Sequence, residues 1–327
     1  MHIGTMVWRI GDRLEVGEQL AWIREAGFTG VGFHASAGVP GHWSGIDPAA
    51  CGSATRTRLR HELQGFAYRE LHAPFAIELR AATLGPAMTA LVPVMELAAD
   101  LAVDVVTIHA DFGTAQAPHA AQGASPRPPA SGPMAQPNVS PSAAPAGAPR
   151  RTREPDTATA SQDAAWRAAM QELDAWAGRM GTRAVLETID GFEQVQGWGL
   201  ARVGVNLDVG HMFLPSGRPR LAAAGGLGLL IRSLGTSLFH LHLHDVKDET
   251  DHIELGTGTI PFADLAAALQ DTGYGHGATL EMNPDRVTPD GIRRSAAYLE
   301  GILARAASGG ATPAAPGPPP VTPVGGS

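Results

Sequence analysis

The sequence predicts an α/β fold, a single-domain TIM (β/α)8 barrel, and three observations lead to this prediction. Eight short apolar runs alternate with amphipathic helical patterns, and turn residues separate each run from the next helix. The runs are almost continuously apolar, which is typical of parallel strands covered by helices. Eight is the number of strands that closes such a barrel. The alternative, a doubly wound open sheet, is weakened because no GxGxxG sequence follows the first strand.

Each predicted strand is a run of apolar and β-branched residues that stops at a turn residue or at a polar side chain. In chain order the strands are HIGTMVW (2–8), GVGFH (30–34), AYRELHAPF (67–75), DVVTIH (104–109), RAVLETI (183–189), RVGVNLD (202–208), SLFHLHLHD (237–245) and ATLEM (278–282). The third strand should end at His72, because Pro74 follows it closely.

Each predicted helix has apolar residues at helical spacing. In chain order the helices cover residues 15–26, 55–64, 87–102, 162–179, a short segment near Gln194, and residues 219–234, 262–270 and 291–306. Gly27 ends the first helix. Pro93 either kinks the third helix or marks its true start, and glycines weaken the helix over 219–234.

Two segments are too poor in large apolar residues to join the barrel. Residues 113–150 consist mainly of Pro, Ala, Gly and Ser, and residues 308–327 have the same character. Such segments cannot bury enough apolar surface to offset their chain entropy, so we expect both to be disordered. The predicted organisation is one barrel over 1–307, with a low-complexity Pro/Ala-rich insert at 113–160, followed by a disordered tail at 308–327.

Charge and cysteine content restrict the compartment and the partners. The single cysteine, Cys51, allows no intrachain disulfide and fits a reducing compartment. The N-terminus lacks the features of a signal peptide, so a cytoplasmic location is expected. The longest apolar stretch that we identify, 221–231, is too short and too rich in glycine to span a membrane. A net charge of −8 argues against nucleic acid as a partner, and the sequence is compatible with a homo-oligomer.

Potential metal ligands lie at the carboxyl ends of four consecutive predicted strands. They are Glu187, Asp208, His242 and Glu281. Residues two apart share a face of a strand, so when these side chains point inward the apolar residues between them face the helices. They then meet at the mouth of the barrel, where this fold has its active sites. Three carboxylates and one imidazole, with no thiolate, suit Mn, Mg, Co or Zn as the divalent metal. The alternative, four unrelated solvated strand ends, is weakened by the repetition.

Several segments resemble the xylose isomerase-like TIM barrel superfamily, which includes sugar phosphate isomerases and epimerases and the AP endonuclease family 2. They are LHAPF, VTIHAD, VLET, VNLDVGHMF, HLHDVKDETDHIELGTGTIPF and TLEM. The resemblance covers residues 2–305 apart from the insert. Its most specific part is DxxH, followed by HLxDxK and then by HxxLGxGxI, because these patterns occur in this order after the sixth and seventh strands.

The isomerase branch of this superfamily implies a metal on Glu187, Asp208, His242 and Glu281. Glu187 and Glu281 would also be the catalytic acid–base pair. The implied function is a metal-dependent sugar, sugar phosphate or keto-polyol isomerase or epimerase of carbohydrate metabolism, working by proton transfer through a metal-stabilised enediolate. A small sugar-like molecule would then be the substrate.

The endonuclease branch implies the alternative function, a metal-dependent phosphodiesterase of the endonuclease IV type that acts on abasic DNA. Its additional metal or substrate ligands would be His72, His109, His211 and His252. Glu187 would bridge two of the metals. Thr250 occupies the position of an aspartate that the third metal needs, with Asp251 displaced by one residue, and this departure weakens the three-metal assignment. A third alternative is an inactive barrel that serves as a binding module.

Other residues near the predicted mouth are assigned by their place on the strands. His244 and Lys247 follow the seventh strand and are predicted to bind substrate. His240 is predicted to pack inside the barrel. His2, His34 and three tryptophans are further candidates for the pocket wall, the tryptophans being Trp8, Trp43 and Trp198.

Overall fold

A computed structural model describes residues 1–113 and 157–308 of the chain. The predicted insert and the predicted tail lie outside the described residues, apart from a few residues at their ends. Their predicted disorder therefore stays a prediction.

Eight parallel strands form a closed barrel. In chain order they are His2–Val7, Gly30–His34, Tyr68–His72, Val105–Asp111, Arg183–Glu187, Val203–Asp208, Leu238–Leu243 and Gly277–Leu280. Each strand pairs with its neighbours in sequence, and the first pairs with the eighth, which closes the ring. The predicted TIM barrel is confirmed.

The helices that surround the barrel occur where the sequence predicts them. They are α1 Val16–Glu25, α2 Ser53–Leu63, α3 Leu84–Leu101, α4 Thr157–Met180, α5 Phe192–Trp198, α6 Arg218–Ala223, α7 Leu227–Leu234, α8 Phe262–Asp271 and α9 Pro289–Ala307. The Gly-interrupted helix predicted over 219–234 is two helices, because Gly225 and Gly226, both with positive φ, separate α6 from α7.

Helix α3 differs from its prediction in two ways. Pro93 does not mark the start of α3, which begins at Leu84, and the predicted kink at Pro93 stays a prediction. The longest apolar stretch is also not 221–231, since Ala81–Leu101 has the length and hydropathy of a membrane span. Nine of the 18 α3 residues are buried, so one side of the helix packs within the protein.

Two apolar clusters support the site from outside and from below. The larger lies between the strands and the helices. The smaller consists of Tyr68, Val105, Val185 and Phe239 and fills the barrel interior near the amino ends of the strands. Strict alternation would turn Phe239 outward, but a shift in pairing between Leu238 and His240 turns it inward. Apolar side chains thus close the lower interior, and polar side chains occupy the interior above them.

Two short hairpins rise above the carboxyl ends of the strands. One pairs Gly38–Val39 with Trp43–Ser44, and the other pairs Asp245–Lys247 with Thr250–Ile253. They follow the second and seventh strands, so both lie at the mouth of the barrel.

Candidate metal centre

The four predicted metal ligands come together around His242. Ligand atoms of Glu187, Asp208 and His242 lie within 4.8 Å of one another. Glu281 is also close, since its Oε2 is 3.1 Å from Nδ1 of His242, and Oε2 of Glu187 is 3.3 Å from the same nitrogen. All four side chains are at most 7% exposed. The structure therefore brings three carboxylates and one imidazole into a single buried group.

The three carboxylates are held in their charged form. Burial raises the pKa of Glu187, but His109 and His242 outweigh burial and hold that pKa well below its ordinary value. The pKa of Glu281 is also held well below its ordinary value, because His242 and His252 outweigh burial. The pKa of Asp208 is lowered in the same way, by His211 and His244. Buried carboxylates that stay charged need a compensating cation.

Asp208 is oriented from two sides. Its Oδ1 accepts hydrogen bonds from the backbone N–H of His211 at 2.8 Å and from Nε2 of His244 at 3.0 Å. Its Oδ2 lies 3.1 Å from Nδ1 of His211. Nε2 of His244 also lies 3.3 Å from Oδ2, so both carboxylate oxygens are oriented by His211 and His244.

The tautomer of His244 follows from its hydrogen bonds. The backbone N–H of His252 donates to Nδ1 of His244 at 2.9 Å, so this nitrogen is an acceptor and Nε2 carries the proton given to Asp208. His252 has a φ of 51°, an uncommon conformation for a residue other than glycine. The His244 ring also stacks on the His252 ring, with centroids 4.0 Å apart. His244 therefore links Asp208 to the strained segment that holds His252.

A second group of possible ligands contains His72, His109 and Glu187. Nε2 of His72 and Nε2 of His109 lie 3.3 Å and 3.4 Å from Oε2 of Glu187. Nδ1 of His72 donates to the carbonyl oxygen of Ala73 at 2.7 Å, so Nε2 is the nitrogen that faces Glu187. These are the residues that the endonuclease branch would use for a second metal.

The set of ligands for the third metal of the endonuclease branch is less complete. His211 and His252 lie near Asp208, but Thr250 offers no carboxylate. Oδ1 of the displaced Asp251 lies 3.1 Å from Nη1 of Arg286 and 3.3 Å from Nδ1 of His252. The group of possible ligands that contains Asp208, His211, His244 and His252 does not include Asp251.

A cavity of about 470 Å³ opens above the cluster. Glu187, His211 and Glu281 line one side, and Trp8, Trp43 and Phe75 line another. The cavity thus combines a charged floor with an aromatic wall. A pocket of this kind suits a small ligand with both polar and apolar faces.

His244 and Lys247, the predicted substrate-binding residues, do not line this cavity. His244 is fully buried behind Asp208, and Lys247 is exposed on the hairpin after the seventh strand. The substrate-binding role of both residues stays a prediction.

The remaining candidates divide between the mouth and other parts of the barrel. His34 is fully buried beneath Trp8 and Trp43, with ring centroids 5.3 Å from each. His2 lies at the opposite end of the barrel, where it pairs with Gly277. Trp198 packs with Phe112 and Trp166 outside the cavity.

Asp245, in the HLxDxK pattern, has a structural function. Its two carboxylate oxygens accept backbone N–H groups of Val246, Gly256, Gly258 and Ile260. A Cβ on Gly258 would overlap the Asp245 carboxylate, so the glycine permits this close approach. The motif therefore fixes the loop that supports the hairpin carrying His252.

Sequence reasoning missed Glu70, the carboxylate that lies behind His242. It is fully buried, and its Oε1 is 2.6 Å from Nε2 of His242. The available signal was its position two residues before His72, which places both side chains on the inward face of the third strand.

Comparisons with known proteins agree with the fold. The model of the xylose isomerase-like TIM barrel family matches residues 20–302. Among solved structures, an L-ribulose 3-epimerase is 18% identical, with a TM-score of 0.63 over 94% of this chain and 96% of that chain. A D-psicose 3-epimerase from Clostridium cellulolyticum H10 is 13% identical, with a TM-score of 0.62 over 93% and 99%. A 3-keto-D-glucoside 4-epimerase from E. coli is 15% identical, with a TM-score of 0.59 over 92% and 99%.

Among curated proteins, none matches the chain in sequence. The structural similarities, at such low identity, support the fold alone. The family match is different in kind, because it covers most of the chain from α1 to α9. This protein therefore belongs to the xylose isomerase-like TIM barrel family.

Proposed function

We propose that this protein is a divalent-metal-dependent isomerase or epimerase of a small sugar, sugar phosphate or keto-polyol. The observation on which the proposal depends is the position of Nδ1 of His242. This buried nitrogen has no hydrogen-bond partner in the described protein, yet it lies between carboxylate oxygens of Glu187 and Glu281.

The residues fit a divalent cation. Nε2 of His242 donates to Glu70, so a neutral His242 presents a lone pair at Nδ1. The carboxylates of Glu187 and Glu281 present lone pairs to the same point. Acceptors that face one another in a buried place need a proton or a metal ion between them. Oxygen and imidazole ligands suit Mn²⁺, Mg²⁺, Co²⁺ or Zn²⁺.

The same residues provide the groups for proton transfer. When bound, a divalent cation polarises a substrate carbonyl and acidifies the neighbouring C–H bond. Glu187 and Glu281 both line the cavity, so one can accept the proton from that carbon as a carboxylate, and the other, which must then be protonated, can donate a proton to the carbon. Their burial keeps water away from the reacting atoms. His211, which also lines the cavity, can orient a substrate hydroxyl.

The comparisons support a sugar as the substrate class. The three similar solved structures described above are epimerases of sugars or of a keto-glucoside. The cavity volume of about 470 Å³ is of the size that small-molecule sites have. Its aromatic wall provides a surface on which the C–H face of a sugar can pack.

A second candidate function, a phosphodiesterase acting on abasic DNA, is favoured by one observation. His72 and His109 approach Glu187 with the spacing of a second metal site. Against this candidate stand Thr250, which leaves the third metal incomplete, and the aromatic side of the cavity mouth. The net charge of −8 also disfavours DNA.

The two candidates can be separated with protein stripped of metal and reloaded in turn with Mn²⁺, Mg²⁺, Co²⁺ and Zn²⁺. Each form is incubated with a panel of ketoses, their phosphates and keto-polyols, and with a duplex that contains one abasic site. Metal-dependent conversion of a sugar supports the proposal. Abasic-site cleavage that disappears in His109→Ala, with no sugar converted by any metal form, would contradict it.

A further inference from the structure

Glu70 is a buried charged residue that the proposed reaction does not use. It is 0% exposed and lies on the third strand, below the cluster. It does not line the cavity, so it touches no substrate. A carboxylate in such a place is costly unless every lone pair is used, and its partners therefore indicate its role.

Oε1 of Glu70 receives two hydrogen-bond donors, whereas Oε2 makes no hydrogen bond within the described residues. Oε1 is 2.6 Å from the Thr107 hydroxyl and 2.6 Å from Nε2 of His242. Oε2 is 3.0 Å from Nε2 of His240. Oε1 therefore joins the third strand to the fourth through Thr107 and to the seventh through His242, so the carboxylate cannot rotate without breaking these two hydrogen bonds.

The direction of each proton follows from the chemistry of the groups. Nδ1 of His240 lies 2.9 Å from the Tyr68 hydroxyl, and Nε2 of His240 lies 3.2 Å from the Thr279 hydroxyl and 3.0 Å from Oε2 of Glu70. A charged carboxylate only accepts, so Nε2 of His242 must carry a proton. In a neutral His242 the lone pair is therefore on Nδ1, and this nitrogen faces Glu187 and Glu281.

We propose that Glu70 is a positioning residue that fixes His242 as the Nε2–H tautomer and so presents Nδ1 to the divalent cation. The role rests on the proposed metal-dependent function. A carboxylate behind a metal-binding histidine sets the ring orientation and increases the basicity of the ligand nitrogen. A purely structural ion pair would hold the strands together without controlling which nitrogen of His242 is protonated.

The test compares the full-length wild-type protein with Glu70→Gln, in which the side-chain shape is kept but an N–H group must face the donor of His240 or His242. We expect Mn²⁺ affinity, measured by calorimetric titration, to fall about 10–100-fold. The matched control is Glu172→Gln, which removes the same charge from an exposed position on α4 and should leave affinity unchanged.

A second measurement reads the tautomer itself and does not depend on the folding of any Glu70 variant. Histidine labelled with ¹⁵N is incorporated into the Zn²⁺-loaded wild-type protein, and the His242 signals are assigned from a His242→Gln variant. We expect Nε2 of His242 to carry the proton in the wild type. In Glu70→Gln we expect the proton on Nδ1 or a mixture of the two tautomers. A proton on Nδ1 of His242 in the wild type would overturn the inference.

The failures of the two proposals are distinguishable. If the wild type binds none of the four cations, the metal-dependent function fails. If the wild type binds metal and converts a sugar, but Glu70→Gln binds Mn²⁺ equally well with an unchanged His242 tautomer, only the positioning role fails.

Discussion

The imidazole of His244 lies directly against Gly210, so that a Cβ on Gly210 would overlap three atoms of the ring. The backbone of Gly210 has φ −66° and ψ −41°, which any residue can adopt. The glycine is therefore needed for space and not for its conformational freedom. It allows His244 to reach Asp208, and this contact orients one of the proposed metal ligands.

Gly210→Ala should displace His244 and weaken metal binding. Overpacking of this kind costs about 1–3 kcal/mol of unfolding free energy. We expect that loss in a denaturant titration, together with weaker Mn²⁺ binding. The control is Gly17→Ala in α1, where a Cβ meets nothing within 4 Å and should be neutral or stabilising. An alanine at 210 that leaves both stability and metal affinity intact would show that His244 does not position Asp208.

Metal binding should release protons at neutral pH. Burial lowers the pKa of His242, but Glu70, Glu281 and Glu187 outweigh burial and raise that pKa well above its ordinary value. The metal-free protein therefore carries a proton on His242 that the cation must displace. We expect apparent affinity to increase as the pH rises through the neutral range. Calorimetric titrations in buffers of different ionisation enthalpy measure the protons released. Binding that releases none, with affinity independent of pH, would contradict the assigned ligand.

His252 should contribute a pH-dependent part of the stability of the metal-free protein. Burial lowers its pKa, but a hydrogen bond with Asp251 and the charge of Glu281 raise it to about 10. Because the pKa of His252 is higher in the folded than in the unfolded protein, its stabilising contribution is fully present below the unfolded pKa of about 6.5. This contribution is lost as the pH rises through the folded pKa.

The matched variant is His252→Asn, because asparagine tolerates the positive φ at this position. We expect the gap in unfolding free energy between the wild type and His252→Asn to narrow from pH 6.5 to pH 10. A gap that stays constant or widens over this range would show that the charged imidazole is not stabilised by its neighbours.

Residues 115–150 should be replaceable by a short Gly/Ser linker. Their composition cannot contribute a packed core, and the described residues on either side are held by the stacking of Phe112 on Trp166, with centroids 4.6 Å apart. We expect unfolding free energy to change by less than about 0.5 kcal/mol and metal affinity to be kept. Insolubility or loss of metal in the replacement would show that the segment is structural. Trp166→Ala, which removes a buried side chain, serves as a control variant that should lower the unfolding free energy.

The sequence predicts the barrel and the convergence of its strand ends because a strand has a fixed side-chain period. If the Asp208 side chain points into the barrel, Asn206 also points inward and Leu207 faces the helices. The same rule fails for Phe239, since one shift in strand pairing changes the face on which a residue lies.

Residues beyond the strand ends could not be predicted in this way. His244 has the same spacing as His240 and His242, yet its position depends on the turn after Leu243. The hairpin that follows contains three residues with positive φ, Asp248, Glu249 and His252, in a combination that no periodicity indicates. Glu70 could have been found from its inward parity, but its pairing with His242 joins the third strand to the seventh across the barrel interior.

The most direct test of the account is the exchange of a carbon-bound hydrogen with solvent. The metal-loaded wild type and Glu281→Gln are incubated in heavy water with the sugar that the substrate panel identifies, and deuterium at the carbon next to the carbonyl is measured by NMR. We predict that the wild type incorporates deuterium and that Glu281→Gln does not, even where it still binds metal, because an amide cannot carry the proton. Conversion without deuterium in the wild type, or full exchange in Glu281→Gln, would contradict proton transfer by this pair of glutamates.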